Sequence, residues 1–131
     1  MIRFEVPGDP VPQPRPRVST RGGFAHAYVP AKHPIHAYRA HVREAARAAG
    51  LTARTSPLTV TIEAVFARPA SHLLKSGQPR PAAPVLPGPD VDNIAKGVLD
   101  ALCEFFNDKL VRQLLVRKSY GARACTHVCI E

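Results

Sequence analysis

Between positions 58 and 66 every second residue is apolar: Leu58, Val60, Ile62, Ala64 and Phe66, set against Thr59, Thr61 and Glu63. A repeat of two is the repeat of a β-strand with one buried face. A strand so marked needs neighbours on both edges, so it is expected at the centre of a sheet. The rest of the fold has to be built around it.

Residues 2–6 alternate in the same way, Ile2, Phe4 and Val6 against Arg3 and Glu5, and read as another half-buried strand. The stretch PGDPVPQPRPR follows; its prolines lack the N–H groups a continuous ladder needs, so it is an extended arm carrying Arg15 and Arg17. Arg21-Gly22-Gly23 is turn-like, and residues 24–29 can form a further strand hairpinned across it. Pro34 suits the first position of a helix, since its missing N–H is an orphan there anyway. That helix is expected over 34–49, ending at Gly50, with Ile35, Tyr38, Val42, Ala45 and Ala49 inward and Arg39, Arg43 and Arg47 on a solvated stripe.

A second helix is expected over 93–105 with Asp92 as its N-cap. Ile94, Val98, Ala101, Leu102 and Phe105 then share one side, and Asp92, Lys96 and Asp100 the other. Strands are expected at 111–118 and 124–130. The order β, β, α, β, α, β, β describes an α/β (α+β) fold: a single domain over 1–131 with a mixed β-sheet and two main helices packed on it. At 131 residues the chain holds one core. Residues 68–89 stand outside this scheme as a Pro-rich basic loop with His72, Lys75 and Arg80, and loops of that length are commonly functional.

The formal net charge of +8 attracts polyanions, nucleic acid first among them. The acids are unevenly placed. Five of the ten (Asp90, Asp92, Asp100, Glu104 and Asp108) fall between 90 and 108, and none between Ala64 and Pro89. One acidic focus on a basic protein suggests a cation site that meets a phosphate backbone. Hard divalent cations held by carboxylates neutralise a scissile phosphate and activate water. Asp90 and Asp92, one residue apart in an extended lead-in, can point the same way; Asp108 can join them if the strand after it runs beside that lead-in. Lys96 lies one turn beyond Asp92 and can reach a phosphate bound there. The bland reading of the same residues is a pair of capping acids with an Asp92–Lys96 pair on a solvated helix. Asp100 is two turns from Asp92, roughly 12 Å along the axis, too far to share its ion, and Glu104 reads as surface.

Three cysteines without a CxxC pair (Cys103, Cys125 and Cys129) and six scattered histidines suggest reduced thiols and neither a disulfide framework nor a structural zinc site. No apolar run reaches the roughly 18 residues of a membrane span, and the N-terminus does not read as a signal peptide. A cytoplasmic protein with no membrane association and no small-molecule cofactor is expected.

The segment GPDVDNIAKGVLDALCEFFNDKLV resembles the signature of the RusA-type Holliday junction resolvases: an Asp-x-Asp-Asn opening, a lysine four residues after the second Asp, an Asp-Ala-Leu segment, and a later Asp before a strand. Asp90, Asp92, Lys96, Asp100, Ala101, Leu102 and Asp108 fall on it. VPGDPVPQPRPR, YVPAKHPIHAYRAHVREAA and RPASHLLKSGQPRPAAP resemble the family's first strand and arm, first helix and central loop. The resemblance implies a homodimeric endonuclease that binds four-way DNA junctions and nicks two opposing strands with Mg²⁺, or Mn²⁺ in its place. It implies Asp90, Asp92 and Asp108 as metal ligands and Lys96 as the functional lysine. Asn107 stands where many members carry a further Asp, and an amide carbonyl brings no charge to a second ion. Arg15, Arg17, Lys75, Arg80 and Lys96 are the candidate DNA contacts. The competing reading is a basic nucleic-acid-binding or phage assembly protein without catalysis.

Overall fold

The structure is a computed structural model describing all 131 residues. Four strands, β1 (Ile2–Pro7), β4 (Leu58–Ala67), β5 (Val111–Gly121) and β6 (Cys125–Ile130), form one mixed sheet in the order β1-β6-β4-β5. β4 is interior, as its alternation predicts. It pairs antiparallel with β6 and parallel with β5, and β1 closes the far edge antiparallel to β6. Parallel neighbours cannot be joined by a hairpin, so the chain between β4 and β5 must cross over the sheet. Helix α2 (Val91–Ala101) is that crossover, and it lies beside α1 (Ile35–Ala48). The expectation of one domain with two helices on a mixed sheet holds.

The core lies between the helices and one face of the sheet. Val60, Ile62 and Ala64 of β4 and Val128 and Ile130 of β6 meet Ile35, Tyr38, Val42 and Ala46 of α1 and Ile94, Val98, Ala101 and Leu102 near α2. Each fully buried Ile, Val or Leu contributes about 1.5–3 kcal/mol of transfer free energy. The apolar face expected for the second helix is the buried one. Its boundaries differ from expectation: α2 begins at Val91 with Asp90 at its N-cap position, so Asp92 lies inside the first turn. Leu102 closes the helix, and Phe105 and Phe106 are buried in the turn that follows. At α1 the boundary moves by one residue, with Pro34 in the cap position. The extra hairpin is real but separate, β2 (Arg17–Ser19) pairing with β3 (His26–Tyr28) outside the main sheet.

One buried polar pair ties helix to sheet. The Tyr38 hydroxyl stands 2.7 Å from Oγ1 of Thr126, which satisfies both groups in an otherwise apolar layer. Burial pushes the Tyr38 phenol above its ordinary value of 10.0, the Thr126 bond opposing this in part. A folded-state pKa above the unfolded one favours the fold fully below about pH 10, and the advantage is lost as pH rises through the raised value. Tyr38→Phe strands the Thr126 hydroxyl and is expected to cost about 1–3 kcal/mol at neutral pH. Urea unfolding followed with pH checks both parts: the variant starts lower, and above pH 10 it declines less steeply than the wild type.

Candidate metal and nucleic-acid site

The approach to α2 sets out the carboxylates. Asp90 has extended backbone (φ −72°, ψ 142°) and makes no capping bond through its side chain. Asp92 accepts one hydrogen bond from the backbone N–H of Asn93, at 3.0 Å. Both are exposed, and neither is in an ion pair. They stand at the positive end of the helix dipole, where anionic groups are stabilised. Asp90 occupies the N-cap position without a side-chain capping bond and Asp92 lies in the first turn, so both keep hard carboxylate oxygens, one residue apart, of a kind that suits a divalent cation.

Lys96 also departs from the bland reading. Its ammonium is 3.8 Å from Asp100, not Asp92, and its side chain is 63% exposed. Asp100 is more firmly held by Arg39, at 3.3 Å. The arginine stripe of α1 is therefore not simply solvated: Arg39 reaches Asp100 and the side chain of Gln13, and Arg43 and Arg47 both address Glu104. These contacts clamp α1 to the far end of α2. Glu104 serves the clamp.

Asp108 opens a short 3₁₀ turn, Asp108–Leu110, capped by the Asn107 side chain, which accepts from the Lys109 N–H at 2.9 Å. Asn107 thus has a local structural task. Asp108 shares a surface cleft with Leu99, Asp100, Cys103 and Asn107, at the C-terminal end of α2. Asp90 precedes Asp100 of that cleft by ten residues along the helix, roughly 15 Å. The three aspartates do not form a group of ligand atoms within 4.8 Å of one another in one chain. The strand after Asp108 does run beside the lead-in, but it is its far end that arrives there: Lys118 Nζ donates to the Pro89 carbonyl at 2.9 Å. Lys118 is a residue that sequence reading passed over. Its signal was present, since it continues the alternation of Leu114 and Val116, which lie beside Val60 and Ile62 on the same face of the sheet, and is itself in register with Ala64. A lysine on that face needs a polar partner.

Two basic segments adjoin α2, one lying across it and one leading into Asp90. The Pro-rich arm crosses α2, the Gln13 N–H donating to the Asn93 carbonyl at 2.9 Å, and Arg15 and Arg17 follow as exposed residues. The loop at 68–89 folds on itself around a Leu73–Pro79 bridge. It is pinned by Arg68, which lies 4.2 Å over the Tyr120 ring and donates to the Pro84 carbonyl at 2.8 Å. Lys75 and Arg80 are exposed. Arg80 gives its Nε to the Ser71 carbonyl at 3.2 Å, and Lys75 has no such commitment.

Residues 7–131 match the family described as Endodeoxyribonuclease RusA. The chain belongs to the RusA family. Family membership brings nuclease character and an association with Holliday junctions. A relative in Bacillus subtilis (strain 168), described as "Uncharacterized protein YqaN", is 34% identical over 141 residues, covering 99% of this chain and 95% of its own length. No helix of this RusA-family chain is long and apolar enough to cross a membrane.

Gly97 is what lets the arm lie so close to α2. A Cβ there would meet the Val11 carbonyl oxygen at 3.1 Å and Ile35 Cδ1 at 3.4 Å. Gly97→Ala is expected to lose about 1–3 kcal/mol of stability through overpacking and to lift the arm from the helix. Faster proteolysis within residues 8–20, together with a lower urea midpoint, is the measurement that checks it.

Proposed function

We propose that the protein is a Mg²⁺-dependent, structure-selective endodeoxyribonuclease that resolves four-way junctions by paired symmetric nicks in cytoplasmic DNA recombination and repair, acting as a homodimer. The observation that carries this is the pair of exposed, unpaired carboxylates, Asp90 and Asp92, beside a basic arm and one turn from the exposed ammonium of Lys96, whose pairing with Asp100 is a long one of 3.8 Å. Their donor chemistry fits Mg²⁺, which takes few protein carboxylates and keeps several waters; Mn²⁺ fits the same set. When bound, such an ion supplies charge neutralisation at the phosphate and a more acidic water. Asp90 and Asp92 would hold it, Lys96 would stabilise charge developing on the phosphate, and Arg15, Arg17, Lys75 and Arg80 would bind flanking phosphates.

The homodimer supplies the missing third carboxylate. β5 is an edge strand of eleven residues, with Arg112, Gln113, Leu114 and Leu115 exposed along it. An unpaired edge of that length invites pairing with another strand. Antiparallel pairing with its copy would set the start of one β5 beside the end of the other, where Lys118 holds Pro89. The partner subunit's Asp108 then approaches Asp90 and Asp92, and two-fold symmetry makes two such sites.

Incubation with a synthetic four-way junction, matched duplex and flap DNA, with and without Mg²⁺, tests the activity. Metal-dependent paired nicks on the junction are expected, with Asp90→Asn, Asp92→Asn and Asp108→Asn each lowering the rate about 100-fold or more. Cleavage of none of the substrates, with salt-sensitive DNA binding that ignores Mg²⁺ and survives Asp92→Asn, would establish a binding protein instead. Mixing Asp90→Asn and Asp108→Asn subunits separates the two claims. A shared site regenerates one intact centre per heterodimer and restores single nicks. Continued inactivity of the mixture beside an active wild type would place all three ligands in one chain.

A further inference from the structure

The sheet face turned away from the helices holds a second set of potential ligands. Cys125 and His127 are two apart on β6 and so project from the same side, and Glu5 on β1 is the direct cross-strand neighbour of His127. The Cys125 Sγ, His127 Nε2 and Glu5 carboxylate lie within 4.8 Å of one another. Sγ to Nε2 is 3.3 Å, and Nε2 to Glu5 Oε1 is 3.8 Å. Bond lengths of about 2.3 Å to sulfur and about 2.0–2.2 Å to nitrogen and oxygen, at tetrahedral angles, put ligand atoms roughly 3.4–3.6 Å apart. The three side chains already stand near those edges.

We propose that Glu5, Cys125 and His127 form a zinc site that fastens β1 to β6. The donor set is one thiolate, one imidazole and one carboxylate, which suits Zn²⁺ and is poorly matched to Mg²⁺. Three protein ligands leave the fourth position to water, and His127, 50% exposed, leaves that position open. Neighbouring strands hold the three Cα positions, so little ordering is left for the ion to impose. Glu63 flanks His127 from β4 and adds negative charge. Two effects work against the ion. Arg123 donates to Glu5 Oε1 at 2.8 Å, although the carboxylate has a second oxygen. Burial, with Glu5 alongside, keeps the Cys125 thiol protonated above its ordinary range, so zinc binding releases that proton. The site shares no residue with Asp90, Asp92 or Asp108, and its existence does not depend on nuclease activity.

Titration of the full chain with Co²⁺ alone, followed by competition with Zn²⁺, tests this. A thiolate-to-cobalt charge-transfer band that saturates at one thiolate-bound Co²⁺ per chain, and that Zn²⁺ abolishes, is expected. Cys125→Ser removes the band. His127→Gln, at a half-exposed position that the core does not need, weakens binding more than about tenfold and removes the rise in thermal midpoint that Zn²⁺ gives the wild type. Cys129→Ser and Asp92→Asn leave the band unchanged. No band in the wild type, a band that survives Cys125→Ser, or one lost in Cys129→Ser or Asp92→Asn would overturn the proposal.

Discussion

The parallel pairing of β4 with β5 governs how the rest of this molecule is arranged. Strands that run the same way side by side cannot be joined by a tight turn, so the chain leaves one end of β4, travels back over the sheet and re-enters at the other end. Residues 68–110 make that journey, and α2 is the part that packs on the core. Helix direction follows from the crossover. The N-terminus of α2 must lie where β5 finishes, and its C-terminus where β5 begins. Lys118 on the Pro89 carbonyl marks the first junction, and the Asn107-capped turn marks the second.

This geometry separates residues that are close in sequence and alike in chemistry. Asp90 and Asp92 belong to the start of α2, Asp108 to the turn beyond its end. Eighteen positions of chain separate Asp90 from Asp108, eleven of them in α2, and hold them a helix length apart. A crossover therefore makes the carboxylates of this chain a divided set, and the long open edge of β5 is where the proposed homodimer would join the two parts.

The charges of the helices divide by task in the same way. Arg39, Arg43 and Arg47 have the spacing of a solvated stripe, yet they face Asp100 and Glu104 across the seam between α1 and α2. These pairs are partly exposed and individually worth little; several together set the two helices in register. The acids at the start of α2 have no such partners. Asp100 and Glu104 are engaged by the fold, whereas Asp90 and Asp92 carry no ion pair.

Periodicity alone determined the main strands, both helices and the buried side of α2, because alternation at 58–66 and the three- and four-residue steps at 94–105 are local properties of the chain. The distribution of charges determined the acidic focus on a basic protein, and the DNIAKGVLDAL segment carried the family. Helix ends were less legible: Asp90 and Asp92 are both good capping residues, and only the backbone conformation separates the cap position from the first turn. Long-range partners were not legible at all. That Lys96 pairs with Asp100, that Lys118 holds Pro89, that Asp108 sits with Asp100, and that Glu5 meets Cys125 and His127 across 120 positions of chain depends on strand order and register. Those are properties of the assembled sheet, which no local repeat encodes.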